Sequence, residues 1–136
     1  MYSFFKKKSG FTLIELLIAL GIIVILSATL IVAINPPLQF KMARDNQRKT
    51  HVIVIHGAFS EYKAREGEFP PCLLGETPVE DCEAYLVPDY LESIPEDPND
   101  DCSGSGYLVK ESPAQRIGVK AECAEEEEIT VGDWKD

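Results

Sequence analysis

Basic residues are scarce in this sequence, and their scarcity limits the partners that the chain can have. There are 13 Lys and Arg residues against 23 Asp and Glu residues, so the formal net charge is −10. Three of the basic residues lie within residues 1–10, where there is no acid, so the chain without that segment has a net charge of −13. Because phosphate binding depends on clustered Lys and Arg, we expect no strong nucleic-acid binding.

Motifs of catalysis and cofactor binding are also lacking. The sequence has no GxSxG, no P-loop and no visible pairing of a nucleophile with a base. It has no N-x-[ST] glycosylation signal either. The two histidines, His51 and His56, are five residues apart, which does not place them on one helical face as a pair of metal ligands. We therefore predict surface or packing histidines, no metal, no cofactor and no enzymatic activity.

Charge is almost absent from residues 11–34, which hold one ionisable group in 24 positions. As a helix this segment would be about 36 Å long, enough to cross a hydrocarbon core of about 30 Å. A cleaved secretory signal is the alternative, but its apolar core is usually only about 7–15 residues long. The three basic residues ahead of the segment, Lys6, Lys7 and Lys8, place the N-terminus in the cytoplasm and residues 35–136 outside.

No CxxC pair is present, and this weakens the case for zinc. The four cysteines are Cys72, Cys82, Cys102 and Cys123, and the gaps of 9, 19 and 20 residues between them match no common zinc spacing. Four cysteines in a small exported domain usually form two disulfides. Of the three possible connectivities we favour the two local pairs, Cys72–Cys82 and Cys102–Cys123, and the other pairings stay open.

The 136 residues suffice for one domain, and helical patterns followed by strand-like segments predict an α+β fold, a long N-terminal helix packed on a small C-terminal antiparallel sheet. After the apolar segment, Asn35-Pro36-Pro37 is where a helix would stop or bend. Residues 38–66 resume a helical pattern with one apolar stripe of Val52, Ile55, Phe59 and Tyr62.

Loops dominate residues 67–106, with a short helical turn predicted at Ala84–Leu91. Three strands are predicted at Tyr107–Lys110, Arg116–Glu122 and Ile129–Val131, forming a small antiparallel sheet that covers the apolar stripe. The acidic run at residues 125–128 is interpreted as a solvated turn.

Glu15 calls for an explanation, because it lies five residues into the apolar segment. Inserting a carboxylate at the centre of a bilayer costs on the order of 3 kcal/mol. Either Glu15 stays close enough to the cytoplasmic interface to remain hydrated, or it meets a positive partner inside the membrane or inside an assembly.

The stretch KKKSGFTLIELLI at residues 6–18 resembles the class III leader and helical core of type IV pilins and type II secretion pseudopilins. The shared features are a basic leader, Gly10 before the cleavage point, Phe11 after it, Glu15 four residues further on, and an unbroken apolar helix. The resemblance extends through residues 6–66. It continues less strongly at residues 85–110, where Ile-Pro-Glu-Asp-Pro at 94–98 and Gly-Tyr at 106–107 follow the family's passage.

This resemblance implies roles for particular residues. A prepilin peptidase would cut between Gly10 and Phe11, and Phe11 would become the methylated N-terminal residue. Glu15 would pair with the N-terminal amine of a neighbouring subunit, and Asn35-Pro36-Pro37 would be the site of helix melting or kinking during assembly. The implied organisation is a leader at 1–10, a transmembrane and filament-core helix at 11–34, a kinked then amphipathic helix at 35–66, and a disulfide-containing head at 67–136.

The implied function is that of a type IV pilin, which sits in the cytoplasmic membrane and then polymerises with identical subunits into an extracellular filament. Its further partners would be the assembly ATPase and platform. The alternatives are a major pseudopilin of type II secretion, or a single-pass membrane protein whose outer domain binds a ligand or catalyses a reaction.

Two clusters of charged residues in the exported part have more than one interpretation. Four oxygen-bearing residues, Asp97, Asn99, Asp100 and Asp101, could hold calcium, but they lie upstream of the calcium loop of major pseudopilins, so we favour a solvated turn. The basic cluster of Lys41, Arg44, Arg48 and Lys49 could touch DNA, but we favour pairing with acids of neighbouring subunits.

Overall fold

The computed structural model describes residues 10–134. Apart from Gly10, the leader expected at residues 1–10 lies outside this range. The chain divides into two compact units, Met1–Gln39 and Phe40–Asp136. The first unit contains the apolar helix, and the second contains the sheet and the core.

Helix α1 spans Leu13–Ile34, and none of its 22 residues is buried. Within the described part of the chain, α1 is the one helix that is long and apolar enough to cross a membrane, by length and composition. This agrees with the apolar N-terminal helix expected from residues 11–34.

The two prolines begin the second helix. Helix α1 ends at Ile34, Asn35 adopts a left-handed conformation with φ of 49°, and α2 spans Pro36–Glu66. Proline suits the first turn of a helix, because its fixed φ is already helical and the N–H it lacks would have no partner there. The next donors are Leu38 and Gln39, whose N–H groups both bond to the Asn35 carbonyl.

The sheet has four antiparallel strands in the order β1-β2-β3-β4. The strands are β1 Thr77–Pro78, β2 Tyr107–Glu111, β3 Ile117–Ala121 and β4 Ile129–Gly132. Tyr107, Ala121 and Ile129 mark one end of the sheet, hereafter the Tyr107 end. The opposite end, where Glu111 pairs with Ile117, is hereafter the Glu111 end. The α+β class and the three long strands are as predicted, and β1 was not predicted.

A 3₁₀ helix at Val79–Cys82 continues into the short helix α3 at Glu83–Leu86. The predicted turn at Ala84–Leu91 is therefore too long at its C-terminal side. Val87 is extended because it precedes Pro88, whose ring disfavours helical backbone in the residue before it.

One apolar core holds the second unit together. From α2 it takes Val52, Ile55 and Phe59, which are fully buried as the stripe predicted, while Tyr62 is partly buried. From the sheet it takes alternate residues of β2 and β3, such as Val109 and Val119.

Two disulfides close the loops around this core. Cys72 is bonded to Cys82 and Cys102 to Cys123, with Cα–Cα distances of 5.4 Å and 6.1 Å. These are the two local pairings favoured from the sequence. They leave no free cysteine to bind zinc among the described residues.

Candidate functional site

Thr12 and Glu15 form a reciprocal cap at the start of α1. The Glu15 N–H donates to Thr12 Oγ1 at 3.3 Å, and Glu15 Oε2 accepts from both the N–H and the hydroxyl of Thr12 at 2.8 Å. This is a capping box, in which side chains satisfy backbone donors that a helix start leaves free. Sequence reasoning missed Thr12 in this role, although the Thr-x-x-Glu spacing is the signature of the motif.

The cap leaves Glu15 able to bind a cation. All three hydrogen bonds involving its side chain or amide are local to Thr12, and Oε1 accepts none from the described residues. Around it the exposed side chains are apolar, with Leu13 at 81% and Leu16 at 59% exposure. The carboxylate is thus a single negative group at the start of an otherwise apolar, unburied helix.

Gly10 and Phe11 lie just before this cap, outside any helix or strand. Phe11 is 92% exposed, and a Cβ placed on Gly10 would have no atom within 4 Å. Other described residues therefore do not cover the peptide bond between Gly10 and Phe11.

Arg48 is the centre of an ion network in the second unit. Its side chain is fully buried, and its Nε and Nη2 atoms donate to the two carboxylate oxygens of Asp97, each at 2.7 Å. Its Nη1 atom donates to Asp45 at 2.8 Å and to Glu125 at 3.3 Å. The interpretation of Asp97 as part of a solvated turn is wrong, since its side chain is only 2% exposed.

Glu125 joins the acidic run to α2. It accepts from Arg44 Nε at 2.5 Å and from Arg44 Nη2 at 2.8 Å. The backbone N–H groups of Glu125 and Glu126 both donate to Asp45. The solvated turn predicted for residues 125–128 is therefore wrong for Glu125, whose side chain is 17% exposed, although Glu126, Glu127 and Glu128 are exposed.

The basic cluster of α2 thus pairs with acids of its own chain. Besides the contacts of Arg44 and Arg48, Lys41 pairs with Glu126 at 3.9 Å and Lys49 pairs with Glu127. We expected acids of neighbouring subunits in this role. Folding of the loops at 87–106 and 122–128 supplies nearer ones.

The hydrogen bonds keep this network charged. Burial alone would raise the pKa of Asp45, but bonds from Arg48 and from two backbone N–H groups outweigh it and lower that pKa. The bonds from Arg44 lower the pKa of Glu125. The bonds to Asp97 raise the pKa of Arg48 further above its usual value.

Neither the histidines nor the acid-rich loop forms a metal centre. Nδ1 of His51 lies 2.7 Å from the Tyr107 hydroxyl, and burial lowers the pKa of His51 while raising that of Tyr107. Asp97, one of the candidate calcium ligands, is held by Arg48 and also accepts from the Asn99 N–H at 2.8 Å. No group of three or more His, Cys, Asp or Glu side chains within residues 10–134 is placed to hold a metal ion.

Residues 5–31 match the family model described as the prokaryotic N-terminal methylation motif. The match covers the basic leader, the cap and most of α1. The chain thus carries the class III prepilin leader that type IV pilins and pseudopilins share, followed by an apolar helix and an α+β unit. No curated protein and no solved structure matches the chain.

Proposed function

We propose that this chain is the structural subunit of a type IV pilus, processed by a prepilin peptidase between Gly10 and Phe11 and polymerised into a helical extracellular filament. The observation that carries the proposal is the methylation motif at residues 5–31, which includes most of α1, a helix with no buried residue. Such a filament would serve attachment, motility or DNA uptake.

We expect the exposed apolar surface of α1 to be covered first by the membrane and later by other subunits of the filament. A helix with this much exposed apolar surface is unstable in water, so a membrane would hold it before assembly. In the filament, the α1 helices of identical subunits would cover one another. Lipid is as apolar as leucine, so leaving the membrane gains little hydrophobic free energy, and packing and polar contacts must favour the polymer.

Glu15 supplies such a polar contact. Once the leader is removed, Phe11 carries a free amine, and the open Oε1 of Glu15 can accept from the amine of a neighbouring subunit. Leaving a carboxylate buried without its partner is strongly unfavourable. A subunit that enters in the wrong register would leave Glu15 without its amine partner, and this would disfavour that register.

The break at Asn35-Pro36-Pro37 separates the filament-core segment from the rest of the chain. The left-handed Asn35 and the two missing N–H donors already interrupt the backbone bonding there. We propose residues 11–34 as the filament core, residues 35–66 as the bridge to the head, and this break as the place where the chain bends or melts during assembly.

The remaining partners follow from this function. They are the prepilin peptidase, an assembly ATPase with its platform in the cytoplasmic membrane, and other copies of the chain. The second candidate function is a major pseudopilin of type II secretion, which shares the same motif. The two disulfides support the pilin over this alternative.

The test is to replace Glu15 with alanine in cells that supply the peptidase and the assembly machinery. We expect a Glu15→Ala chain that is still cleaved and methylated but yields no fibres, because its subunits lack the partner of the N-terminal amine. The matched control is Ser27→Ala, on the same helix, since the Ser27 hydroxyl donates to the Ile23 carbonyl of its own helix.

Electron microscopy and mass spectrometry of sheared fibres provide the readout. Long fibres of a chain that begins at methylated Phe11 would support the pilin. The same N-terminus found only in membrane fractions would favour the pseudopilin. A chain that still begins at Met1, or normal fibres from Glu15→Ala, would contradict the proposal.

A further inference from the structure

Lys63 is the one cationic side chain without a carboxylate partner among the nine in residues 10–134. Its Nζ atom donates to the carbonyl of Gln115 and lies 4.3 Å from the centroid of the Phe69 ring. These contacts fix the ammonium group without neutralising it. In a chain with 23 acids, a cation left over in this way indicates a place for an anion from elsewhere.

Lys63 lies in a cleft of about 440 Å³, hereafter the cationic cleft, whose wall includes His56, Phe69, Arg116 and Asp133. Arg116 pairs with Asp133 at 3.1 Å, but its side chain is 70% exposed. The carboxylate of Asp133 neutralises the charge of Arg116, whereas the positive charge of Lys63 is not neutralised by any carboxylate in residues 10–134. The cleft is therefore suited to a carboxylate.

Gly132 shapes this cleft. It has a φ of +79°, and a Cβ at this position would lie 2.8 Å from the His56 ring and 2.2 Å from the Ile117 carbonyl. Glycine thus permits the imidazole to pack directly against the end of β4. This close packing of His56 against Gly132 forms one wall of the cleft.

A second cleft, of about 580 Å³, carries the opposite charge and is hereafter the acidic cleft. Four exposed carboxylates line it, those of Glu80, Glu83, Glu96 and Asp100. None of the four forms an ion pair with a cation in residues 10–134. Ser105 also lines this cleft, and its buried Oγ has no hydrogen-bond partner in the same range.

The two clefts lie at opposite ends of the sheet. The cationic cleft is at the Glu111 end, against the start of β3 and the end of β4. The acidic cleft is at the Tyr107 end, next to the residues that precede β2 and those that follow β1. The clefts share no residue, so one molecule can present both at once.

We propose that the acidic cleft of one copy binds the cationic cleft of the next, with a carboxylate from the group Glu80, Glu83 and Glu96 against Lys63. A contact between two different surfaces of the same molecule is heterologous, and such contacts build open helical polymers when the rotation does not close a ring. The inference rests on the proposed function and adds to it a heterologous contact between the second units of neighbouring copies, which fixes the subunit register.

A zero-length carbodiimide cross-link tests this contact, because the reagent joins an amine to a carboxylate that it already touches. Fibres are grown from a mixture of ¹⁴N- and ¹⁵N-labelled processed chains that begin at Phe11, and cross-linked peptides are identified by mass spectrometry. We expect peptides of mixed isotope that join Lys63 to Glu80, Glu83 or Glu96. Fibres in which Lys63 is joined to no acid of another copy would overturn the inference and leave the proposed function standing.

Charge reversal gives an independent test. We expect Lys63→Glu to lower fibre yield about tenfold or more, because like charges brought together oppose association. Co-production with a Glu83→Lys, Glu96→Lys chain should restore the yield. Arg65→Glu is the matched control, since it makes the same charge change on the same helix outside the cleft.

Thermal unfolding of each variant shows whether the fold is retained. A folded Lys63→Glu chain with normal fibres would contradict the inference, and so would a loss of fibres that the reversed partner does not restore. Failure of the unmodified chain to form any assembly would instead overturn the proposed function and this contact together.

Discussion

Arg48 shows why a single residue type is needed at the centre of the second unit. Its guanidinium group is planar and presents several donors in a fixed fork, which suits two-point binding of a carboxylate. Here that fork binds Asp97 at two points while Nη1 serves Asp45 and Glu125. A lysine has one ammonium group at the end of a flexible chain and could not hold three separate acids in this arrangement.

Replacing Arg48 with alanine should destabilise the fold by about 3–5 kcal/mol, because removing one partner leaves uncompensated charges in the interior. The measurement is denaturant unfolding of the full-length chain in detergent. The control is Arg65→Ala, which removes an exposed pair with Glu61 and should cost no more than about 1 kcal/mol. Equal effects of the two substitutions would contradict a structural role for the network.

The same network predicts loss of stability in acid. The pKa values of Asp45 and Glu125 are lower in the folded chain, so between the folded and unfolded pKa values the unfolded chain binds more protons. Their contribution is fully present above the unfolded values of about 4 and is lost as pH falls through the folded ones. His51 acts in the same direction at higher pH, since burial lowers its pKa and its protonation opposes folding.

We therefore expect the unfolding midpoint to decline slightly below about pH 6.5 and steeply below about pH 4. Thermal unfolding between pH 2 and pH 8 measures this. In an Asp45→Asn chain the steep part should be smaller, because one of the titrating groups is gone. A midpoint that is constant down to pH 3 would show that the carboxylates contribute nothing to stability.

The residues that the sequence revealed and those that it hid differ in the range of their interactions. Glu15 stood out in the sequence because its setting is local, one charge in an apolar run, and its role in assembly stays a prediction. The bonds of Arg48 to Asp97 and Glu125 could not be foreseen, because these partners are 49 and 77 residues away in sequence. In the sequence alone a charged residue in a polar stretch resembles any solvated one, and only the folded loops bring Asp97 and Glu125 to it.

At the scale of elements, local backbone chemistry accounts for the elements that were predicted correctly. Prolines mark the boundary between α1 and α2, as expected, whereas the turn predicted at Ala84–Leu91 ran past Pro88, before which α3 ends. Strand β1 could not be foreseen, because it has two residues and one of them is Pro78. It exists only because β2 offers Thr77 and Pro78 a partner, which is tertiary information.

The disulfide between Cys102 and Cys123 ties the loop that carries Asp97 to the loop that carries Glu125. Replacing both cysteines with serine should lower stability by about 3 kcal/mol, as expected for a closed loop of this length. The shorter loop closed by Cys72 and Cys82 should contribute somewhat less, and its double serine variant is the comparison. Denaturant unfolding measures both, and a larger loss for the Cys72–Cys82 pair would contradict this ranking.

At the scale of the whole molecule, the interactions that stabilise the fold lie almost entirely in the second unit. The apolar side chains of α1 are all exposed, whereas the second unit contains the apolar core, both disulfides and the whole Arg48 network. This division could be predicted from the sequence, because the apolar run and the cysteines occupy separate stretches. The contacts inside the second unit could not, since they join distant loops.

The second unit should therefore fold without the first. We expect residues 40–136 to be soluble and monomeric, to form the same two disulfides, and to unfold cooperatively at the midpoint of the full-length chain in detergent. The physical reason is that every partner of Arg48 and every member of the core lies within this range. Circular dichroism, light scattering and peptide mapping of the disulfides measure these properties.

The Arg48→Ala version of the fragment should lose the same stability as the full chain, because α1 adds nothing to the network. A fragment that unfolds without cooperativity, or that forms other disulfides, would mean that residues 1–39 are needed for folding, and the division into two units would not describe the folding of the protein.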